Sequence, residues 1–154
     1  MKRYDKILFV SHSDTCRGPM AEAIMQSKLL LEDILIASKG MIVLFPEPVN
    51  PKALEVLRLR GYEMPEHEAE PVSVHDFDER PLILTMDQIQ KDKLIEEYQD
   101  KAINLYTLAE YSGVEGDIYN PIGKDLPEYG HCFDILELVI SRVVMIIKKE
   151  EEES

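Results

Sequence analysis

The residues best suited to chemistry stand close together in the stretch "FVSHSDTCRGPMAEAI", residues 9 to 24. It starts as an apolar run, passes through small or hydrogen-bonding residues to Arg17, and continues after Gly18 with a helical composition. A tight loop there would aim backbone N–H groups inward, and a following helix would add its positive end. Arg17 offers a planar fork that matches two oxygens of an oxyanion. The stretch therefore predicts an oxyanion-binding loop that begins at Ser11.

A simpler interpretation is that the polar residues of this stretch only cap the helix that follows. Ser, Asp and Thr are common helix-capping residues, and the candidates are Ser11, Ser13, Asp14 and Thr15. Composition alone favours this interpretation, whereas the position of Arg17 immediately before the helix favours an anion site. His12 lies inside the loop and is either a further donor to the anion or a solvent-facing side chain.

Short apolar runs and helical patterns alternate along the chain. They predict the strands and helices that position this loop. Strands are predicted at residues 6–10, 34–40, 81–86 and 102–106, and helices at 20–33, 50–62, 87–98 and 128–149, with an irregular crossover at 62–80. Asp87 is predicted as the N-cap of the third helix. This order predicts an α/β fold, a single domain over residues 1–154 with a four-stranded parallel sheet and helices on both faces. Ligands of such sheets bind at the carboxyl ends of the strands, where the first loop lies.

The composition narrows the classes of partner. Seventeen Lys and Arg stand against 30 Asp and Glu, and the net charge of -13 repels nucleic acids and acidic membranes. The apolar runs are shorter than the ~18 to 20 residues of a membrane span, and the N-terminus does not match a secretory signal. We therefore expect a cytoplasmic protein without nucleic-acid or membrane partners. The composition does not set an oligomeric state.

The order of these residues resembles the low-molecular-weight protein tyrosine phosphatase family, whose signature is a strand, Cys-x5-Arg, Ser-Pro and a helix. "ILFVSHSDTCRGPMAEAI" matches it through the strand, the spacing from Ser11 to Arg17 and the run "PMAEAI". "SKG", "LILTM", "NLYTLAEY", "NPIG" and "EYGHCFDIL" extend the similarity over nearly the whole chain. The resemblance implies a hydrolase whose substrates are phosphorylated proteins or small phosphomonoesters. It also implies a phosphate-binding loop made of His12, Ser13, Asp14, Thr15, Cys16, Arg17 and Gly18.

The resemblance implies a mechanism, and two of its catalytic positions differ in this chain. In the family a cysteine thiolate attacks phosphorus and an aspartate before proline protonates the leaving group, but here these positions hold Ser11 and Asn120. A serine hydroxyl is far less acidic than a thiol, and an asparagine cannot transfer a proton. Hydrolysis should therefore be nearly abolished while phosphate binding survives. Asp117 or Asp125 could replace the missing acid, and Asp125 fits better as a solvated loop residue.

Other departures concern the substrate. Gly18 replaces the serine that follows the family's arginine, while Ser13 and Asp14 replace a glycine and an asparagine. Thr15 resembles the threonine of the family's bacterial protein-arginine phosphatases, where a hydroxyl could position a phosphoramidate. Ile122 replaces an aromatic residue that would flank a phosphotyrosine ring. Phosphoarginine is thus an alternative substrate, although a loop threonine is more often only a local hydrogen-bonding group.

The cysteines and histidines point to no cofactor. The resemblance implies that Cys16 could form a protective disulfide with a nucleophilic cysteine at position 11. Because position 11 is a serine here, Cys16 is interpreted as a packing residue. Cys132 is expected in the core. His67, His75 and His131 show no metal-ligand spacing with the cysteines, so neither metal nor other cofactor is expected.

Two hypotheses follow for the whole chain. The first is a cysteine-dependent phosphatase acting on phosphotyrosine or a related phosphomonoester, present here as an inactive form in which serine replaces the nucleophilic cysteine. The second is a naturally degenerate module that binds a phosphorylated partner without cleaving it. Ser11 as an introduced replacement and Ser11 as the natural residue both stay open. A receiver-like flavodoxin domain is a weaker alternative, because it would leave the spacing from Ser11 to Arg17 unexplained.

Overall fold

The computed structural model describes residues 3–29, 33–64 and 66–153. Five helices and four strands follow one another in these ranges. They are β1 (Lys6–Ser11), α1 (Arg17–Lys28), β2 (Leu35–Gly40), α2 (Pro51–Leu59), β3 (Pro81–Thr85), α3 (Gln88–Tyr98), β4 (Leu105–Thr107), α4 (Leu108–Ser112) and α5 (Leu126–Glu153), with short 3-10 turns at Val74–Phe77 and Gln99–Lys101.

The four strands form one parallel sheet in the order β2-β1-β3-β4. In register, Leu8 of β1 stands between Ala37 of β2 and Ile83 of β3. From β1 the chain continues to β2, which pairs with one edge of β1. From β2 it crosses over β1 to β3, which pairs with the opposite edge of β1. The loop after β1 therefore lies at the point where strand order reverses, as predicted.

Helices cover both faces of this sheet because its central strands are apolar on both sides. In β1, Ile7 and Phe9 point into a core shared with α1, α2 and α5, whereas Leu8 and Val10 point into a second cluster. The second cluster includes Leu94 of α3. Alternation along the strand thus places helices on both faces, which confirms the predicted fold class.

Some predicted boundaries are wrong. The fourth strand is residues 105–107 and not 102–106, because Ile103 is exposed and Asn104 takes a positive φ of 52°, which turns the chain before pairing begins. The last helix runs from Leu126 to Glu153, longer than the predicted 128–149. Its charged end is held in part by Glu150, which accepts a hydrogen bond from the Tyr111 hydroxyl at 3.0 Å.

Within the described ranges, the helices are all too short or too polar to cross a lipid bilayer.

Candidate active site

Residues 11–17 connect β1 to α1 at the carboxyl end of the sheet, and their carbonyl groups point outward. The Ser11 carbonyl accepts a hydrogen bond from the Met41 amide at 2.9 Å, and the His12 carbonyl accepts one from the Ile42 amide at 3.0 Å. The Thr15 carbonyl accepts a third from the Asn50 amide at 2.8 Å. These bonds anchor the loop to the segments that follow β2, so its shape is fixed by parts of the chain distant in sequence.

The backbone amides of the same loop are left without protein acceptors. From His12 to Arg17, the one amide with an acceptor among the described residues is that of Asp14, which donates to Ser11 Oγ at 3.3 Å. Among the described residues, none accepts a hydrogen bond from the amides of six neighbouring positions, namely His12, Ser13, Thr15, Cys16, Arg17 and Gly18. Amides without acceptors at a helix start form an anion-binding nest.

The start of α1 is not capped by a side chain. Cys16 occupies the N-cap position and makes no side-chain cap hydrogen bond. The Ser13 and Thr15 hydroxyls bond instead to each other, at 2.8 Å between their oxygens. The helix-capping interpretation of the polar residues therefore has no support at the N-cap, and the positive end of α1 is available to an anion.

Asp14 gives the loop its sharp turn. Its φ of 60° lies in the left-handed region, which asparagine and aspartate adopt more readily than most other residues with a side chain. The side chain is fully buried, so the turn is made inside the protein. The resemblance to the family implied an asparagine at this position, and aspartate meets the same backbone requirement.

Arg17 is held at one end of its guanidinium. Its Nη1 donates to the Ile118 carbonyl at 2.6 Å and lies 3.7 Å from Asp87 Oδ2, and the side chain is 4% exposed. Burial lowers the pKa of Arg17, while the charge of Asp87 opposes that shift, and a guanidinium stays charged in proteins. The bonds that the structure shows for this side chain all use Nη1. Since no described residue accepts a hydrogen bond from Nε or Nη2, both groups can bind an anion.

Ser11 lies at the end of β1, buried at the base of the loop. In the described structure its Oγ accepts the Asp14 amide and contacts no histidine or other side-chain base by a hydrogen bond. The neighbouring thiol of Cys16 is no substitute nucleophile, because burial raises the pKa of Cys16 to about 12. Burial raises the pKa of Cys132 to about 12 as well, and this residue packs in the core.

Asn120 lies at the mouth of the loop. It lines a small concavity together with Ser11, His12, Ser13, Cys16, Arg17 and Ile122. Asn120 Oδ1 accepts the Ile122 amide at 3.2 Å, which leaves the Nδ2 group as a donor. Asparagine at this position can thus bind an anion but cannot give it a proton.

Asp117 and Asp125 lie farther from the loop. Asp117 Oδ1 accepts a hydrogen bond from the Gln88 amide at the start of α3, at 3.2 Å. Asp117 lines a larger cleft beside the concavity but does not line the concavity itself. Asp125 is exposed and lines neither. The structure therefore brings Asn120 and the loop residues together, and it leaves Asp117 at the edge of the site.

The larger cleft has a volume of about 850 Å³. It adjoins the small concavity and shares His12, Arg17 and Asn120 with it. One wall comes from the start of α3, including Asp87 and Ile89, and the segment after β2 adds Ile42. A cleft of this size is typical of sites that bind small molecules or side chains of a partner.

Several groups at the site were missed by sequence reasoning. Asp87 was predicted only as the N-cap of α3, a role that it fills by accepting the Gln90 amide at 2.9 Å, yet it also pairs with Arg17. Its position directly after β3 was the signal, because carboxyl ends of parallel strands meet at one edge. His67 and Glu22 lie beneath the loop beside Asp14, and no sequence spacing pointed to them.

The described residues also include possible metal ligands, the His, Cys, Asp and Glu side chains. In residues 3–29, 33–64 and 66–153, no group of three or more His, Cys, Asp or Glu side chains is arranged to hold a metal ion. The chemistry that the site offers is that of a loop which binds an oxyanion next to a hydroxyl group.

Comparisons with known proteins agree with this geometry. The family model described as low molecular weight phosphotyrosine protein phosphatase matches residues 6–153. The low molecular weight protein-tyrosine-phosphatase PtpB of Staphylococcus haemolyticus is 34% identical over 142 residues, covering 90% of this chain and 96% of that protein.

Solved structures show the same fold. The YwlE arginine phosphatase of Geobacillus stearothermophilus superimposes with a TM-score of 0.88 at 30% identity, covering 96% of each chain. A Cys-to-Ser mutant of YwlE arginine phosphatase with a phosphorylated active-site serine also has a TM-score of 0.88, at 27% identity, covering 97% of this chain and 99% of that one. The chain therefore belongs to the low molecular weight phosphotyrosine protein phosphatase family of hydrolases.

Proposed function

We propose that this chain is a protein phosphatase of its family in a serine form, which binds a phosphorylated side chain but hydrolyses it at a nearly abolished rate. One observation carries the proposal: six backbone amides without acceptors among the described residues, and the Nε and Nη2 groups of Arg17, belong to the loop that begins at buried Ser11. Amides and guanidinium together match the equatorial oxygens of a phosphoryl group. The preferred substrate is protein phosphotyrosine or a related phosphomonoester.

The serine form separates the two halves of the reaction. In the first half, Ser11 Oγ forms a bond to phosphorus, the bond from phosphorus to the leaving group breaks, and the hydroxyl proton passes to the leaving group or solvent. This step is slow because no base contacts Ser11 Oγ in the described structure. In the second half a water must attack the phosphoserine, and Asn120 cannot take a proton from it.

A phosphoryl group that does reach Ser11 should therefore stay there. The phosphorylated active-site serine of the YwlE Cys-to-Ser mutant, a protein of the same fold and family, supports this expectation. We infer that the serine form is a single-turnover trap for the phosphoryl group, and that its ester is kept by the same amides and Arg17 that bind the substrate.

Phosphoarginine is the second candidate substrate. Relatives that are protein-arginine phosphatases, such as that of Geobacillus stearothermophilus, support it. Ile122 at the mouth of the loop also supplies no aromatic face for a phosphotyrosine ring. Thr15 is neutral between the two substrates, because its hydroxyl is engaged with Ser13 at 2.8 Å.

A binding module is the alternative to an enzyme. Ser11 and Asn120 both lack the chemistry of the family's catalytic groups, while the amides and Arg17 that bind the anion are all present. In that case the chain would hold a phosphorylated protein and release it intact. The net charge of -13 keeps nucleic acids and acidic membranes as unfavourable partners, and a cytoplasmic location stays a prediction from composition.

Restoring the thiol tests the proposal. Ser11→Cys should hydrolyse an aryl phosphate or phosphoarginine with turnover, whereas Ser13→Cys places a thiol two residues away and should not. The ratio of kcat/KM for the two substrates identifies the substrate class. Turnover by Ser11→Cys supports the enzyme, and its absence with both substrates at mildly acidic to mildly basic pH contradicts it. Intact release of bound phosphopeptide would then support the binding module.

Mass spectrometry tests the trap in the unchanged protein. After incubation with an aryl phosphate or with phosphoarginine, Ser11 should carry one phosphoryl group from at least one of the two, an increase in mass that the Ser11→Ala variant does not show. Absence of the modification after prolonged incubation, with the peptide that contains Ser11 clearly observed, would contradict the trap.

A further inference from the structure

Three buried ionisable side chains, Asp14, Glu22 and His67, lie beneath the phosphate loop, residues 11–17. The proposed reaction does not use them, and we call them the Asp14 cluster. His67 Nε2 lies 3.3 Å from Asp14 Oδ2 and 3.1 Å from the Asp14 carbonyl oxygen, and His67 Nδ1 lies 3.9 Å from Glu22 Oε1. The side chains of all three are less than a tenth exposed. They come from the loop, from α1 and from the segment before β3.

The Asp14 carboxyl group has one satisfied oxygen and one without a partner. Oδ2 accepts the Glu70 amide at 3.1 Å and faces His67. Oδ1 is completely buried and has no hydrogen-bond partner in the part of the chain that the structure describes. A buried carboxylate oxygen without a donor is costly, because its negative charge has lost its hydration.

The unpartnered oxygen, Asp14 Oδ1, lies close to Ser11 Oγ, the atom at the position of the family's nucleophile. An ideal Cβ placed on Gly18 would lie 3.0 Å from Ser11 Oγ and 3.1 Å from Asp14 Oδ1, so both oxygens border the same point. They cannot be farther apart than the sum of these two distances. A phosphoryl group bound against Ser11 would thus bring further negative charge close to the Asp14 carboxyl group through protein of low dielectric constant.

The charges around the cluster do not cancel that repulsion. The single charge of Arg17 is shared between Asp87 and the anion that it binds, and Lys39 is paired with Glu70 at 2.5 Å. Inside the cluster, two carboxyl groups face one imidazole. When a dianion arrives in the loop, the nearest way to lower the negative charge is to bind a proton.

We propose that oxyanion binding in the loop is coupled to uptake of about one proton by the Asp14 cluster, and that Asp14 is the positioning residue that imposes this coupling. The inference rests on the proposed function, because it requires an anion in the loop. Asp14 Oδ1 drives the coupling because it is buried without a hydrogen-bond partner among the described residues, whereas Oδ2 keeps its contacts with the Glu70 amide and His67.

The groups that receive the proton already bind protons more tightly than usual. Burial raises the pKa of Glu22, and the charge of Asp14 raises it further. Burial alone would lower the pKa of His67, but the hydrogen bonds and charge of Asp14 and the charge of Glu22 raise it above the ordinary 6.5. The negative charge of a dianion in the loop favours proton binding by Glu22 and by His67 in the same direction.

The consequence is a binding constant that depends on pH in one direction. Uptake of one proton makes the affinity for a dianion fall as pH rises, by as much as about tenfold per pH unit once the free cluster has lost that proton. Replacing Asp14 by the neutral amide of the same shape removes the buried charge. Asp14→Asn should therefore bind the dianion more tightly at high pH and with a flatter pH dependence.

Sulfate is the suitable probe, because it stays a dianion throughout the neutral range and does not itself titrate. Calorimetric titration of the unchanged protein with sulfate, in two buffers with different ionisation enthalpies, measures the protons taken up. Asp14→Asn and Glu22→Gln test the cluster. Asp92→Asn is the matched control, because Asp92 is an exposed residue of α3 whose carboxylate accepts a hydrogen bond from the Gln88 side chain. Circular dichroism establishes that each variant is folded.

The expected result is proton uptake by the unchanged protein and by Asp92→Asn, and a loss of most of that uptake in Asp14→Asn, which binds sulfate about tenfold more tightly at the alkaline end. Sulfate binding without proton uptake in the unchanged protein would overturn this inference alone. A failure of both the unchanged protein and Asp14→Asn to bind sulfate would overturn the proposed function, and this inference with it. The measurement on the unchanged protein decides the matter even where a variant does not fold.

Discussion

The phosphate loop, residues 11–17, and the segment opposite it, residues 117–122, meet at one site but are built in different ways. Most side chains of the loop are buried, and its carbonyls are tied to the segments after β2. In the opposite segment Asn120 and Ile122 are exposed. That segment is anchored mainly through Ile118, whose amide donates to the Met86 carbonyl and whose carbonyl accepts Arg17 Nη1.

This difference separates anion binding from proton transfer. The loop binds with backbone amides, which depend on the fold and not on the identity of most side chains. The opposite segment contributes one exposed side chain, which can change without cost to the core. Under the proposed function, a replacement at Ser11 or Asn120 should therefore leave the geometry of the loop in place, and four variants test how far this separation extends.

The largest effect is expected from restoring an acid to the exposed segment. In the Ser11→Cys background, Asn120→Asp should raise kcat for an aryl phosphate by roughly 10² to 10⁴, the usual contribution of general acid catalysis. Steady-state kinetics measures the change, and Asp125→Asn in the same background is the control. If Asn120→Asp changes kcat by less than severalfold, another group already supplies the proton, and Asp117 is the first candidate.

The next effect concerns the buried side of the comparison. Arg17→Lys keeps the charge but loses the planar fork, and charge-assisted hydrogen bonds contribute about 1.5 to 3 kcal/mol each, so sulfate affinity should fall by roughly 10- to 100-fold. Calorimetry measures the affinity. Lys93→Ala removes an exposed cation of the larger cleft and should have little effect. Equal losses in the two variants would mean that sulfate binds through the general field of the cleft.

A smaller effect is expected on stability as pH changes. His67 has a raised pKa in the folded chain, so its contribution to stability is complete below its unfolded pKa of 6.5 and is lost as pH rises through the folded value. The raised pKa of Glu22 acts in the same direction from its ordinary 4.5 upward. The free energy of unfolding in urea should therefore decrease above about pH 6.5.

His67→Gln should remove most of that decrease, whereas His75→Gln, on an exposed 3-10 turn, should leave it as in the unchanged protein. A rise in stability across the same pH range would show that the contacts of His67 with Asp14 and Glu22 do not favour its protonation.

The smallest effect concerns the tether of the exposed segment. Asp117→Asn removes a negative charge from the start of α3, where such charges contribute about 0.3 to 1 kcal/mol, and the free energy of unfolding should fall by that amount. In the Ser11→Cys background kcat should change little, because Asp117 does not line the concavity of the loop. A large loss of kcat with unchanged stability would assign the proton donor to Asp117.

The sequence predicted the sheet and the loop well because their determinants are contiguous. The apolar run of β1, the polar loop and the start of α1 follow one another without interruption, and Arg17 marks the site by its position. The fourth strand was harder to place, since Ile103 is apolar but exposed, and the turn at Asn104 depends on tertiary contacts. Hydrophobicity alone does not distinguish these cases.

The underside of the loop could not be predicted from the sequence. His67 reaches Asp14 from the predicted crossover at 62–80, across 53 positions of the chain, and that segment has no periodicity. Its path is set by tertiary pairing, including the bond from the Gly40 amide to the Glu70 carbonyl. Asp87 was half predicted, because helix capping is a local property whereas its contact with Arg17 depends on strand order.

The hydrogen bond from the Ile42 amide to the His12 carbonyl makes position 42 suitable for a fluorescent probe of the loop. It fixes Ile42 beside the loop, yet the Ile42 side chain is 53% exposed, so a larger ring is tolerated there. The chain contains no tryptophan. Ile42→Trp would therefore place a single indole beside the phosphate loop, and its fluorescence would follow the arrival and departure of an unlabelled ligand in real time.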